Sequence, residues 1–197
     1  MSGDPFPSAD AAYAFASAFL VFVLSEIVGA RIIPDRRRQG SEVRRRNRGS
    51  NALVIVSWVA LFGVSAGLAG NGVMLLPDWV SFIGAVLILL GVAVRQWAIA
   101  VLGRYFSVVI GVQEGQKVVE VGPYHLVRHP SYAGALLVLV GIALSFGSLG
   151  AVLAAILIFG LVYGHRMVVE ERVLVSELGD SYVEYMKHTK RVIPFLV

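Results

Sequence analysis

Cysteine is missing altogether from these 197 residues, and charge is scarce, with Asp, Glu, Lys and Arg making up 15% of the chain. Without cysteine there is no disulfide framework, no thiolate metal site and no thiol nucleophile, although the redox compartment stays open. Scarce charge beside 57% apolar residues and a mean hydropathy of +0.75 excludes an ordinary soluble globule, in which roughly a quarter of residues are charged. The same composition excludes intrinsic disorder. Glycine fingerprints are missing too: neither GxGxxG nor GxxxxGK[ST] occurs, so no Rossmann or P-loop nucleotide site is signalled. HExxH is absent, and with it the zincin helix. What remains is a chain of one domain's length whose apolar runs point to a membrane.

A crossing needs about 20 mostly apolar residues to span roughly 30 Å of hydrocarbon. Residues 11–30 meet this with Glu26 as the one charge, 52–70 with none, and 79–102 with Arg95 alone. Residues 132–164 hold no charge over 33 positions; one helix of that length would reach about 50 Å, too long even when tilted. The cluster Phe146-Gly147-Ser148-Leu149-Gly150 near its middle has turn chemistry. The spacing therefore predicts a hairpin of two helices, the second running on through His165-Arg166-Met167-Val168-Val169. The expected fold is an all-α polytopic membrane helix bundle of five spans, the last two a helical hairpin. It forms one membrane domain over 1–197, with three spans in 1–102 and the rest in 103–197.

Basic residues orient the bundle. Residues 31–51 hold eight Arg, 103–131 hold three Lys or Arg, and the tail after Gly164 holds five. The N-terminus before Ala11, the connection 71–78 and the hairpin tip hold none. Five spans put every loop cation on one face, which the positive-inside rule makes cytoplasmic, with the N-terminus outside and the C-terminus inside. No basic n-region precedes the first span, so no removable signal peptide is expected. No internal repeat suggests the inverted halves of a transporter.

The Arg-rich stretch Arg36-Arg37-Arg38…Arg44-Arg45-Arg46-Asn47-Arg48 could be a nucleic-acid patch, but it lacks interleaved aromatics and sits directly between two spans. It is read as a topology signal and a contact for anionic head groups, each cation contributing roughly 1 kcal/mol; no nucleic-acid partner is expected. His125 and His129 are four apart, yet Pro130 disfavours helix at His129 and no third ligand lies close by, so no metal is expected.

Polar density gathers instead at one depth. The segment Gly122-Pro123-Tyr124-His125-Leu126-Val127-Arg128-His129-Pro130-Ser131-Tyr132-Ala133-Gly134 stands at the cytoplasmic start of the fourth span, its two X-Pro steps fixing turns. An aromatic belt with cationic anchors is the plain reading of such residues; the density and the paired prolines weigh equally for a site. A second cluster, His165, Arg166, Glu170 and Glu171, ends the fifth span. Arg166 and Glu170 share a helix face, and charges so near the bilayer core favour a cavity over lipid. Because the last two spans form a hairpin, both clusters should line one pocket. Glu26 and Arg95, the charges inside earlier spans, could pair with each other or line the polar end of that cavity.

The run Leu102-Gly103-Arg104-Tyr105-Phe106-Ser107, then Gly122-Pro123-Tyr124…Arg128-His129-Pro130-Ser131-Tyr132…Gly134, Glu170-Glu171…Leu174…Leu178-Gly179…Tyr182…Tyr185 and Ile193-Pro194-Phe195 resembles the isoprenylcysteine carboxyl methyltransferase family. The combination RHPxYxG, EExxL and GxxYxxY is shared with the related phospholipid N-methyltransferases, and it covers the chain from about Trp97 onward. The resemblance implies an integral-membrane enzyme that uses S-adenosyl-L-methionine in a non-Rossmann cytosolic pocket and methylates a lipophilic, prenyl-type acceptor among membrane lipid. It implies cofactor contacts at Gln113, Gln116, Lys117, Val118, Val119, Tyr124, His129, Pro130, Ser131, Tyr132 and Glu170. Arg166 resembles the arginine that meets the substrate, with Arg95 beside the acceptor. An amine-methylating phospholipid enzyme and a non-enzymatic lipid-binding membrane module remain as alternatives, and oligomeric state is not signalled.

Overall fold

A computed structural model of the protein describes residues 5–32, 41–107, 110–113 and 115–194. Its helices are α1 (Ala9–Ile32), α2 (Ser41–Gly70), α3 (Val80–Leu102), α4 (Pro130–Ser145), α5 (Leu149–Ile158), α6 (Gly164–Leu178) and α7 (Asp180–His188). A single π-helical turn, Phe159–Tyr163, joins α5 to α6 into one continuous rod. Short 3-10 turns at Gly103–Tyr105 and Gly122–His125 punctuate the long connection between α3 and α4.

Among the described residues, four stretches are long and apolar enough to cross a membrane: Ala9–Gly29, Ala52–Gly70, Val80–Tyr105 and Leu149–Leu178. The expected fourth span is the 16-residue α4, about 24 Å long. It is short because Pro130 fixes its start and Gly147, at φ +68, turns the chain after its end. The hairpin tip lies where the sequence puts it. There the Ser148 hydroxyl accepts from Ala151 N at 3.4 Å and donates to Val73 O at 2.9 Å, capping α5 and binding the tip to the 71–76 connection. The stretch 31–51, expected as a loop, differs: α2 already begins at Ser41. Residues 41–48 hold four arginines and Glu42, good helix formers, so the helix extends beyond its apolar part. The arginines at 36–38 lie outside the described residues.

The contact that fixes the site is the α3–α4 seam. Gly84 and Gly91 on α3 and Gly134 and Gly141 on α4 are each two turns apart and meet backbone to backbone. A Cβ on Gly84 would lie 2.6 Å from Gly141 O, and one on Gly91 2.6 Å from Gly134 O. Apolar lipid supplies no driving force for helix association, so close backbone approach through small residues takes its place. The seam sets the start of α4 against Arg95, whose Cβ lies 2.8 Å from the Cβ position of Gly134. At the opposite end Phe6 stacks on Phe146 at 4.7 Å, and Phe15 packs 5.7 Å from the same ring, closing α1 over the hairpin tip.

Candidate active site

The ends of α3, α4 and α6, with α7 and the 103–129 connection, enclose a cleft of about 1010 Å³, counting its open mouth. Arg95, Gln116, Lys117, Val118, Val119, Tyr124, His129, Ser131, Tyr132, Arg166 and Glu170 all line it, so the two clusters expected to share a pocket do so. Gln113 and Pro130 lie outside the lining. Gln113 N donates to Gln116 Oε1 at 2.8 Å, and its side-chain Nε2 is buried without a partner among the described residues. Pro130 is fully buried as the first residue of α4.

Arg166 is 7% exposed and its Nε donates to the Tyr132 hydroxyl at 2.8 Å, which in turn donates to Glu170 Oε2 at 2.6 Å. The i,i+4 spacing on α6 supplies the first and last members, and the first turn of α4 supplies the hydroxyl between them. Glu26 and Arg95 pair bidentately, at 2.6 Å from Nε and 3.0 Å from Nη2, while Arg95 also lines the cleft. Both readings of these two charges therefore hold for Arg95. His125 and His165 are exposed, whereas His129 is buried, so the two imidazoles at 125 and 129 share no face.

Sequence reasoning missed the anchor of this site. Glu171, 4% exposed, receives Arg128 Nε at 2.9 Å, Arg191 Nη2 at 2.9 Å and His129 Nε2 at 3.3 Å. Arg128 also donates to Met186 O at 3.2 Å and to Thr189 O. Backbone N–H groups of Arg128 and His129 donate to Lys190 O and Arg191 O at 2.7 and 2.9 Å. Tyr185 donates to Tyr124 O at 2.6 Å. The segment after α7 is thus strapped to the 122–129 turns with one carboxylate at the crossing. The adjacent pair Glu170-Glu171 was the available signal, since neighbours on a helix point about 100° apart and serve different partners.

Burial raises the Tyr124, Tyr182 and Tyr185 phenols above their ordinary range. All three stay neutral and line the cleft. Gly63-Val64-Ser65-Ala66-Gly67 spells the serine-elbow pattern GxSxG, yet Ser65 is fully buried within α2 and no strand-to-helix turn exposes it. It is a small residue of a membrane helix, not a nucleophile.

Comparison with known proteins matches this architecture. Residues 79–181, which include α3, α4, α5 and α6, match the family model for phospholipid methyltransferase. The chain is 32% identical over 120 residues to protein-S-isoprenylcysteine O-methyltransferase B of Arabidopsis thaliana, an alignment covering 60% of this chain and 61% of that relative. It is 28% identical over 193 residues to a probable protein-S-isoprenylcysteine O-methyltransferase of Oryza sativa subsp. indica, covering 94% of this chain and 96% of the relative. The fold is similar to that of a eukaryotic intramembrane Ras methyltransferase, isoprenylcysteine carboxyl methyltransferase, with TM-score 0.66 and 23% identity over 92% of this chain and 65% of that one. With more than half of its residues inside the matched region, the chain belongs to the phospholipid methyltransferase family.

Proposed function

We propose that the protein transfers a methyl group from S-adenosyl-L-methionine to the carboxylate of a lipophilic acceptor, a prenylated cysteine or similar isoprenoid acid, at the cytosolic membrane face. The observation that carries this reading is a buried arginine, Arg166, beside Glu170 in one cleft at the end of an apolar bundle. Relatives named as protein-S-isoprenylcysteine O-methyltransferases support the acceptor class.

The cleft fits the methyl donor by the chemistry of its lining. Glu170 offers carboxylate oxygens to an ammonium or to ribose hydroxyls. Tyr124 and Tyr132 bring aromatic rings, whose faces attract a cation within about 6 Å. Gln116, Lys117, Val118, Val119, His129 and Ser131 also line it, and Pro130 is buried at the start of α4 beside them. Bound there, the sulfonium supplies an electrophilic methyl group. An acceptor carboxylic acid is already ionised at pH 7, so no residue has to serve as general base. Arg166 grips and orients that carboxylate through charge-assisted hydrogen bonds, Arg95 stands at the polar end of the acceptor's path, and the walls exclude water.

The same reading takes the chain as five spans with the N-terminus outside and the C-terminus in the cytoplasm. Val127 pairs with Lys190, which keeps both ends of the hairpin on one side. A crossing by Leu149–Leu178 then requires a matching one by the short α4. The basic segments all fall on that side.

The description of the matching family favours a second acceptor class, a phospholipid amine. Substitution of Arg166 separates the two, because a cation suits a carboxylate nucleophile and repels a protonated amine. In labelled methyl transfer to N-acetyl-S-farnesylcysteine, Arg166→Ala is expected to lower kcat/KM by about tenfold or more, the scale of a lost charge-assisted bond, with S-adenosylhomocysteine binding retained. Unchanged acceptor kinetics, or methylation of a phosphatidylethanolamine vesicle instead, would overturn the carboxylate reading.

A further inference from the structure

Arg166 and Glu170 are opposite charges one helical turn apart, Arg166 buried and Glu170 half-buried, where attraction between them is stronger than in water. Closed on each other, they would leave Glu170 engaged when it is needed for the cofactor and Arg166 engaged when it is needed for the acceptor. The Tyr132 hydroxyl stands at the point between them, 2.8 Å from Arg166 Nε and 2.6 Å from Glu170 Oε2. A phenol has one proton to donate and lone pairs to accept with. Donation to the carboxylate uses the proton, so a lone pair faces the guanidinium, and one neutral group satisfies both charges at once.

The ring that carries this hydroxyl is held on two sides. His129 stacks on it at 5.4 Å and 18°, and Tyr163 meets it edge-on at 5.5 Å and 71°. Each clamp is itself fixed: His129 by Glu171 at 3.3 Å, and Tyr163 by the Trp58 indole N–H at 2.9 Å. Tyr163 belongs to the π-helical turn, and α1 stiffens the far side, Phe22 lying flat on Trp58 at 5.0 Å. Two layers of packing around one hydroxyl exceed what a ring contact with a cofactor requires.

We propose that Tyr132 is a positioning residue whose hydroxyl spaces Arg166 from Glu170, keeping the acceptor's cation and the cofactor's carboxylate as separate binding groups. The proposal rests on the methyltransferase reading above. It makes a sign prediction that a purely structural role does not: removing the hydroxyl harms Glu170 through Arg166, so removing Arg166 as well should repair the damage.

The test is calorimetric binding of S-adenosylhomocysteine to the purified full chain and to Tyr132→Phe, Arg166→Ala and the double variant. Tyr132→Phe is expected to weaken binding about tenfold, the scale of one charge-assisted bond, because Arg166 then takes the cofactor's place on Glu170. The double variant should recover to within about threefold of Arg166→Ala alone, the non-additivity of coupled neighbours. Recovery through a second substitution cannot come from a misfolded chain. Unchanged binding in Tyr132→Phe, or a double variant no tighter than Tyr132→Phe, would overturn the spacer. No binding by the native protein would instead remove the methyl-donor site, and the spacer with it.

Discussion

Glu170 and Glu171 are neighbours in sequence with different tasks. Glu170 faces the cleft, and Glu171 is buried among Arg128, Arg191 and His129. Removing one partner of a buried ion cluster leaves the others uncompensated, so Glu171→Ala is expected to lose about 3 kcal/mol of stability. It should also weaken S-adenosylhomocysteine binding, because the strap and the 122–129 turns come apart. The exposed Glu184–Lys187 pair, at 2.6 Å, offers the contrast, since surface pairs contribute little. Thermal unfolding should move several degrees for Glu171→Ala and not measurably for Lys187→Ala. The resemblance assigned Glu170 to the cofactor and left Glu171 without a task, because the cations that hold it come from positions 128 and 191, brought in by tertiary folding.

Among elements, the apolar runs were readable and their pairing was not. Residues 11–30, 52–70 and 79–102 correspond closely to the cores of α1, α2 and α3, and the hairpin turn falls at Gly147. Hydropathy reports depth in a bilayer, and turn chemistry reports where a helix stops. Neither reports which faces meet, so the four-glycine seam between α3 and α4, the early start of α2 and the π-helical turn before α6 went unread. The seam carries its own prediction. Gly91→Ala would drive a methyl to 2.6 Å from Gly134 O and 2.9 Å from Val138 N, both backbone atoms. The expected cost is about 2–3 kcal/mol, at the upper end for overpacking. Gly63→Ala on α2 meets nothing within 4 Å and is expected to be neutral or to gain up to about 1 kcal/mol from helix propensity. Paired unfolding curves in detergent check both, and a harmless Gly91→Ala would mean that the helices do not meet at this seam.

For the whole molecule, the absence of cysteine becomes an experimental asset, because single cysteines can be labelled without background. An impermeant maleimide applied to intact cells should reach Asn71→Cys, in the connection before α3. It should reach Glu120→Cys and Ser181→Cys only after permeabilisation, since five crossings place both on the cytosolic side. Opposite behaviour of Glu120→Cys and Ser181→Cys would leave the hairpin with a single crossing. The sequence points to the proposed topology through its basic residues, which the labelling tests, and it pointed to the cleft through the neighbouring ends of a hairpin. It could not supply the Arg166–Tyr132–Glu170 link, which needs the particular rotation that the seam and the π-helical turn impose on α4 and α6. The claim on which the rest depends is that this cleft holds a methyl donor on Glu170. Calorimetry of S-adenosylhomocysteine against the purified protein and Glu170→Ala tests it most directly. Binding to the native chain that weakens about tenfold or more in the variant, as expected for a lost bond to a charged group, is the predicted result. Absence of binding by a folded native protein, or equal affinity in the variant, would contradict it and favour a lipid-binding membrane module without this chemistry.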